Sequence, residues 1–440
     1  MLDALIPDGL DPETLLAIDD HGASLRYGDL DHLKKTWASK VPGRCLVALF
    51  CSNSIESLGA YIGLHAAGHV VILLSGKMNP AVREDLVARY GVEVLVEDGN
   101  VTLVKEPSGG LHPDLSVCLS TSGSTGSPKL VQFSTAQLVA NAEAIANYLQ
   151  LTPVERPLTH LPFEYSFGLS VVHSHMAVGA TLLLTEHGVM QKPFWERLAE
   201  ATSLAGVPFH FEMLLRMRLG RADLPNLKVL TQAGGKIGEK EARAIYALAE
   251  EKGWKFHIMY GQTEAGPRIS WLPFSRMEEN FDSIGEPIPG VQLDIAKDGE
   301  LVVRSPSVML GYAQSRADLA LGDQLGGSLH TGDIAEEMNG LYKITGRKSR
   351  FIKLQGNRVG LDDVENRMAA AGHNVWCVGR DDALTMLTED LDTDRVRLNA
   401  VDLFSFPARS LEVRNVAQIP RRGNGKVDYA ALQAMVEGTI

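Results

Sequence analysis

Residues 117–129 read Val-Cys-Leu-Ser-Thr-Ser-Gly-Ser-Thr-Gly-Ser-Pro-Lys. The stretch opens as a short apolar run, Val117–Ser120, and breaks into Thr121–Lys129, where hydroxyl side chains and glycine dominate. From Ser120 to Lys129, six of ten residues are Ser or Thr and two are Gly. A backbone that mobile can present its N–H groups while several hydroxyls converge on one anion, so the loop suits a polyphosphate. It is not a Walker A loop. That pattern needs G-x-x-x-x-G-K-[ST], whereas Lys129 follows Pro128 and the glycines stand three apart. Gly425-Lys426 fails the same pattern because Pro420 stands where its first glycine belongs.

Outward from this loop, short apolar runs alternate with helical stretches from about Arg44 to Gly261, the signature of strand–helix–strand units on a parallel sheet. Leu46–Phe50, Val70–Leu74, Val92–Val96, Val117–Ser120, Thr181–Thr185, Leu227–Thr231 and Phe256–Tyr260 read as strands. Ile55–Ala67, Ala81–Tyr90, Thr135–Leu149 and Glu239–Lys252 read as helices, the third with Ser134 and Gln137 spaced as a capping box. Past Pro289 the texture changes. Two alternating runs flank Lys297-Asp298-Gly299, which predicts a hairpin and a small antiparallel region. Residues 348–440 balance 13 basic against 13 acidic side chains, so the whole excess acidity lies on residues 1–347. The expected fold class is therefore α/β: a large amino-terminal domain over 1–347 of doubly wound sheets plus a small antiparallel β region. A small mobile α+β carboxyl-terminal lobe is expected over 348–440.

Composition narrows the function. The chain has 440 residues, enough for ~2–4 folding units at ~100–200 residues each. Its net charge of −12 disfavours nucleic acid as the main partner. Cys45, Cys51, Cys118 and Cys377 form no C-x-x-C pair, which fits reduced thiols and disfavours a structural zinc. The acidic start lacks a signal-peptide pattern and no ~20-residue apolar run occurs, so no membrane span and a cytoplasmic location are expected.

Further motifs follow the Ser/Thr loop. Tyr260-Gly261-Gln262-Thr263-Glu264 ends a β-like run, which places an aromatic face, a flexible turn, a hydroxyl and a carboxylate where open α/β sheets bind ligands. Glu264 is the hard oxygen ligand that Mg²⁺ takes beside substrate phosphates. Ala233-Gly234-Gly235-Lys236 ends another run, and paired glycines allow close approach of a flat ring or an acyl chain. Then come Thr331-Gly332-Asp333, Gly346-Arg347 and Gly425-Lys426. In this order and near this spacing, the set resembles the adenylate-forming superfamily of acyl-CoA synthetases, adenylation domains and luciferases, over roughly Asp20 to Tyr429.

The resemblance implies ATP and Mg²⁺ as cofactors and an ATP-dependent carboxylic acid ligase that makes an acyl-AMP and then an acyl thioester. It implies phosphate contacts from Thr121, Ser122, Gly123, Ser124, Thr125, Gly126 and Lys129, and an adenine and acyl wall from Gly234, Gly235 and Lys236. Tyr260 and Gly261 would meet the base, Asp333 and Arg347 the ribose, and Glu264 the metal, with Thr263 beside it as a catalytic group. Lys426 would reach the reacting anions, where a mobile ammonium offsets their repulsion.

Tyr165, Phe167 and Gly168, with Gly235, resemble the family's acid pocket. Partners are a carboxylic acid and either CoA or a phosphopantetheine carrier protein. The alternative, an enzyme adenylating an amino acid or aryl acid for a carrier protein, rests on Glu164. Amino-acid adenylation domains carry an Asp near this position for the substrate ammonium, and Glu164 is one methylene longer. Two other readings share the motifs: a noncatalytic nucleotide-binding protein and a luciferase-like oxygenase. His160, His173 and His175 do not have metal-site spacing and read as structural. Arg350 stands where the family's hinge residue is usually Asp or Lys, and the carboxyl-terminal lobe is shorter than typical.

Overall fold

The structure, a computed structural model, describes residues 5–121, 129–348, 350–354, 357–380, 382–404, 408–423 and 425–438. It is a mixed α/β fold with two compact units. One comprises Met1–Leu293 and Val303–Leu329, the other Asp294–Val302 and His330–Ile440.

The first unit holds two large sheets. In the seven-stranded sheet, Gly311–Ala313, Lys129–Ser134, Leu115–Thr121, Val70–Ser75, Leu46–Cys51, Val94–Glu97 and Asn100–Leu103 lie side by side in that order. Its middle is parallel, with Leu46–Cys51 between Val70–Ser75 and Val94–Glu97. All six residues of Leu46–Cys51 are buried, as expected of a strand covered on both faces. Each fully buried Leu, Val or Phe there contributes about 1.5–3 kcal/mol relative to exposure. The predicted helices appear as Ile55–Ala66, Pro80–Tyr90, Thr135–Tyr148 and Glu239–Lys252. Ser134 caps its helix reciprocally with Gln137, its Oγ accepting from the Gln137 backbone N–H at 3.3 Å and Gln137 Oε1 accepting from the Ser134 N–H at 2.8 Å.

One local feature differs from the sequence reading. The Ser/Thr-rich segment does not run from strand directly to helix: Lys129–Ser134 forms a strand antiparallel to Leu115–Thr121, with Thr121 opposite Lys129. The strands on either side of it are therefore paired neighbours in the sheet. Residues 122–128, which include the expected phosphate contacts Ser122, Gly123, Ser124, Thr125 and Gly126, lie outside the described residues.

The nine-stranded sheet carries Pro157–Thr159, Ser203–Gly206, Val229–Gln232 and Lys255–Tyr260 as parallel neighbours. Ser270–Leu272 then pairs antiparallel with Lys255–Tyr260. The helix Ser166–Met176 is buried along all eleven residues, as only a helix without a solvent face can be. Phe167 and Val171 on it pack with Ala205, Val207, Ala233, Met259 and Ile288.

The second unit includes most of a four-stranded sheet in the order Gln292–Ile295, Glu300–Arg304, Ser328–Met338, Leu341–Arg347. The turn predicted at Lys297-Asp298-Gly299 is present, with Gly299 at φ +82°. The remainder packs the helices Leu361–Ala370 and Thr393–Phe404 around the strands Trp376–Arg380, Ala383–Thr388 and Leu411–Asn415. No helix among the described residues is long and apolar enough to cross a membrane.

Candidate functional site

Two turns leave neighbouring parallel strands at the same sheet edge. Val229–Gln232 leads into Ala233-Gly234-Gly235-Lys236, and Lys255–Tyr260 into Gly261-Gln262-Thr263-Glu264, with Gln232 opposite Ile258. Both turns depend on glycine. A Cβ on Gly261 would lie 1.8 Å from the Pro267 carbonyl oxygen. Gly234 sits at φ +81°, and a Cβ there would lie 2.3 Å from the Tyr165 hydroxyl. Gln232 Nε2 donates to the Gly235 carbonyl at 2.9 Å and fixes the first turn from beneath. Gly235 and Lys236 are exposed beyond it. Gln262 Nε2 donates to the Tyr260 hydroxyl at 3.2 Å in the second.

The second turn draws in two distant segments. The Tyr312 hydroxyl donates to Glu264 Oε1 at 2.7 Å, and Lys129 Nζ lies over the Tyr312 ring at 5.4 Å from its centre. Tyr312 reaches this place because Gly311–Ala313 pairs antiparallel with Lys129–Ser134, Tyr312 facing Val131. Burial, then the Glu264 charge, raises the Tyr312 hydroxyl above the ordinary tyrosine range, so it stays a donor. Among the described residues no hydrogen bond reaches Glu264 Oε2, which leaves that half-buried oxygen for a ligand. The Thr263 hydroxyl meets Ser166 Oγ at 2.9 Å, joining the turn to the start of the buried helix that carries Phe167 and Gly168. Gly168 too is obligatory, since a Cβ would stand 2.2 Å from the Pro162 carbonyl oxygen.

Behind the Phe167 ring lies Arg268, its guanidinium 3.9 Å from the ring centre and the residue 1% exposed. Asn141 Nδ2 donates to the Gly266 and Arg268 carbonyls at 3.3 and 3.2 Å and so fixes the segment that carries it. Burial pulls this guanidinium below the ordinary arginine value, while the Tyr148 and Tyr165 hydroxyls act on it in the opposite sense. Its Nε and Nη1 have no hydrogen-bond partner.

Neighbouring Glu164 faces elsewhere. Burial raises its carboxyl above the usual carboxylate range, against its own backbone N–H, a hydrogen bond from Ser75 and the charge of Lys77. The three histidines serve three separate places. His173 Nε2 meets the Tyr61 hydroxyl at 2.8 Å, His175 Nδ1 the Val171 carbonyl at 2.8 Å, and His160 Nε2 the Ala205 carbonyl at 2.7 Å. Among the described residues no group of three or more His, Cys, Asp or Glu could hold a metal ion by itself.

In the second unit, Asp333 and Arg347 face each other across antiparallel strands, and Arg347 Nε donates to Asp333 Oδ1 at 3.1 Å. Asp333 is 3% exposed, and its backbone N–H is held by Thr331 Oγ1 at 3.1 Å. Lys426 lies exposed on a closed turn. Its carbonyl accepts from the Arg422 N–H at 2.8 Å, Arg421 and Val427 form a bridge, and Asp428 caps the helix Tyr429–Glu437. Arg350 is held on all sides: it pairs with Asp362, donates to Glu365 Oε1 at 2.7 Å and to the Cys377 carbonyl at 2.9 Å, and stacks on the Tyr429 ring at 3.8 Å.

Sequence reasoning missed Tyr312, Ser166 and Arg268. Tyr312 stands far from every motif, and only its strand pairing brings it to Glu264. Arg268 is four residues past Glu264, and that proximity was its one available signal.

Comparison with known proteins supplies a family and a fold. The family model described as AMP-binding enzyme matches residues 39–313. Among curated proteins, the chain is 28% identical over 346 residues to a D-alanine–D-alanyl carrier protein ligase from Staphylococcus aureus, covering 72% of this chain and 70% of that protein. It is 26% identical over 362 residues to an L-proline–[L-prolyl-carrier protein] ligase from Pseudomonas fluorescens, covering 76% and 71%. Among solved structures, ATP-bound MatB from Rhodopseudomonas palustris superposes with TM-score 0.82 at 18% identity, covering 100% of this chain and 99% of that one. The o-succinylbenzoate CoA synthetase of Bacillus subtilis with its acyl-adenylate OSB-AMP gives TM-score 0.78 at 19% identity, covering 99% and 97%. At these identities the two structures establish the fold.

Proposed function

The chain belongs to the family of AMP-binding enzymes, and from that premise we propose that it ligates a carboxylic acid to a thiol in two half-reactions that consume ATP. In the first, a carboxylate oxygen bonds to the α-phosphorus while the bond from that phosphorus to the bridging oxygen breaks, and pyrophosphate leaves. In the second, a thiol sulfur bonds to the acyl carbon, the acyl C–O bond breaks, AMP leaves and the thiol proton passes to solvent. No protein nucleophile is needed, so the side chains act by positioning and charge stabilisation.

The observation that carries this reading is the Lys129–Tyr312–Glu264 alignment, which brings the end of the Ser/Thr-rich segment to the Tyr260–Glu264 turn. In this assignment Thr121, Ser122, Gly123, Ser124, Thr125, Gly126 and Lys129 hold phosphates, Gly234, Gly235 and Lys236 wall the adenine and the acyl group, Tyr260 and Gly261 meet the base, Asp333 and Arg347 the ribose, and Tyr165, Phe167 and Gly168, with Gly235, the acid. Glu264, with Thr263 beside it, would hold a magnesium ion, which neutralises phosphate charge when bound. The open Oε2 suits that hard cation. Lys426 would offset the charge of the reacting anions. Residues 1–347 form the adenylating part, and residues 348–440 a lobe that turns near Arg350 between the half-reactions.

The acceptor is CoA or a carrier-protein phosphopantetheine. The two curated relatives are named as carrier-protein ligases, which supports the second choice. Four buried, unpaired cysteines suit a reducing cytoplasm. Acid-dependent exchange of labelled pyrophosphate into ATP tests the first half-reaction, and thioester formation with CoA against carrier protein tests the second. ATP binding without exchange on any acid would instead favour a noncatalytic nucleotide-binding protein.

A further inference from the structure

A buried guanidinium without a counter-charge is costly, and proteins retain one where something else completes it. Arg268 is 1% exposed, and two of its three nitrogens have no hydrogen-bond partner. The protein groups acting on it are two phenols, Tyr148, which also hydrogen-bonds the guanidinium, and Tyr165, and neither supplies a carboxylate. The Tyr148 hydroxyl is itself only 2.9 Å from Met259 Sδ. The face of the guanidinium is taken by the Phe167 ring, so its N–H edge is what remains for an anion.

The place is specific. Phe167 follows Ser166, whose hydroxyl meets Thr263, and half-buried Tyr165 lies against the Gly234 turn. Arg268 therefore sits at the inner wall of the cluster assigned above to the acid. Two unpartnered N–H donors on a buried positive charge, Nε and Nη1, suit a carboxylate better than any neutral group, and in so buried a place the pairing is strongly discriminating.

We propose that Arg268 is the specificity residue for an acid with two carboxylates, one activated at the phosphate end and the other paired with this guanidinium. The inference rests on the ligase reading and deepens it by naming the substrate class. An α-ammonium group is disfavoured twice: Arg268 repels it, and Glu164, the acid beside Tyr165 in sequence, is engaged by Ser75 and Lys77.

The test is pyrophosphate exchange by the full chain on matched acids: succinate against butyrate, glutarate against valerate, with D-alanine and L-proline as amino acids. The diacid of a pair should exceed its monoacid in kcat/KM by roughly 100-fold or more, since the monoacid leaves buried N–H groups unpaired. Arg268→Met should remove that preference, mainly through the KM for the diacid, and Arg268→Lys should restore part of it. Thermal stabilisation of the wild-type chain by diacid but not monoacid gives the same answer without a variant. Faster exchange on monoacids or amino acids would overturn the assignment of Arg268 and leave the ligase reading standing. Exchange on no acid at all would remove the ligase reading and this inference with it.

Discussion

Tyr312 donates its hydroxyl to Glu264 Oε1 at 2.7 Å across 48 residues of chain. The bond orients the carboxylate and leaves its second oxygen for a ligand. Tyr312→Phe removes the donor and keeps the ring beneath Lys129. A single partly exposed hydrogen bond contributes about 0.5–1.5 kcal/mol, so kcat/KM for ATP should fall roughly 3–10-fold. Unchanged ATP kinetics at all magnesium concentrations would remove Tyr312 from the site.

Gly261→Ala tests the second turn. Its Cβ would stand 1.8 Å from the Pro267 carbonyl oxygen, a backbone atom that cannot step aside. The substitution should cost at least about 1–3 kcal/mol of stability and displace the Tyr260–Glu264 turn. Urea unfolding gives the first number and ATP binding the second. A variant with wild-type values in both would show that the turn has more room than its geometry allows.

Lys426 is exposed on a turn closed by its own backbone bonds, so its removal should leave the fold intact. If its ammonium acts like one donor to developing charge, Lys426→Ala should slow adenylation by ~10²–10³. Melting temperature should stay at the wild-type value. Near-normal pyrophosphate exchange would refute the role.

Arg350 pairs with Asp362 and Glu365, and the three side chains are 16%, 20% and 16% exposed. Arg350→Met would leave Asp362 without this ion pair and Glu365 with only the Cys377 N–H and the Tyr429 hydroxyl, a loss of about 3–5 kcal/mol. Arg350→Lys keeps the charge without the fork and should fall between. Denaturant unfolding followed by a probe in the second unit measures both, and a neutral Arg350→Met would mean that the acids are solvated.

Six histidines, four of them buried and His160 and His210 half-buried, set an acid limit on stability. Burial is the largest cause in each case and depresses the folded pKa from 6.5 to about 4 for His65, His160, His175 and His257, and to about 3 for His173 and His210. Neutral imidazole is then favoured in the fold, while the unfolded chain takes up protons below pH ~6.5. Stability is therefore full above that value and lost as pH falls toward the folded pKa values, by up to about 1.4 kcal/mol per pH unit for each group. Unfolding free energy should be flat near pH 7–8 and decline steeply from pH 6.5 to 4. A flat profile down to pH 5 would contradict this.

Much of the fold was legible. The strand Leu46–Cys51 announces itself because a central parallel strand is apolar on both faces, and the Thr135–Tyr148 helix because its capping box is written in Ser134 and Gln137. Lys129–Ser134 was not, since four residues between the Pro128-Lys129 loop end and the Ser134 helix cap look like a connector until their partners are seen. Ser166–Met176 has no apolar stripe to read, being covered all round. At the site, Gly261 and Glu264 could be read from local chemistry. Tyr312 depends on strand pairing, and apart from standing four residues past Glu264, Arg268 reads like the exposed arginines that are the rule.

The order of synthesis has a consequence for the helix Ser166–Met176. The residues that cover Phe167 and Val171 include Ala205, Val207, Ala233, Met259 and Ile288, all of which leave the ribosome later. At ~5–20 residues per second, the apolar surface of this helix waits several seconds for its cover. Nascent chains paused in that interval are the ones that should recruit chaperones, and a rare-codon stretch placed after Met176 should lower the yield of native protein.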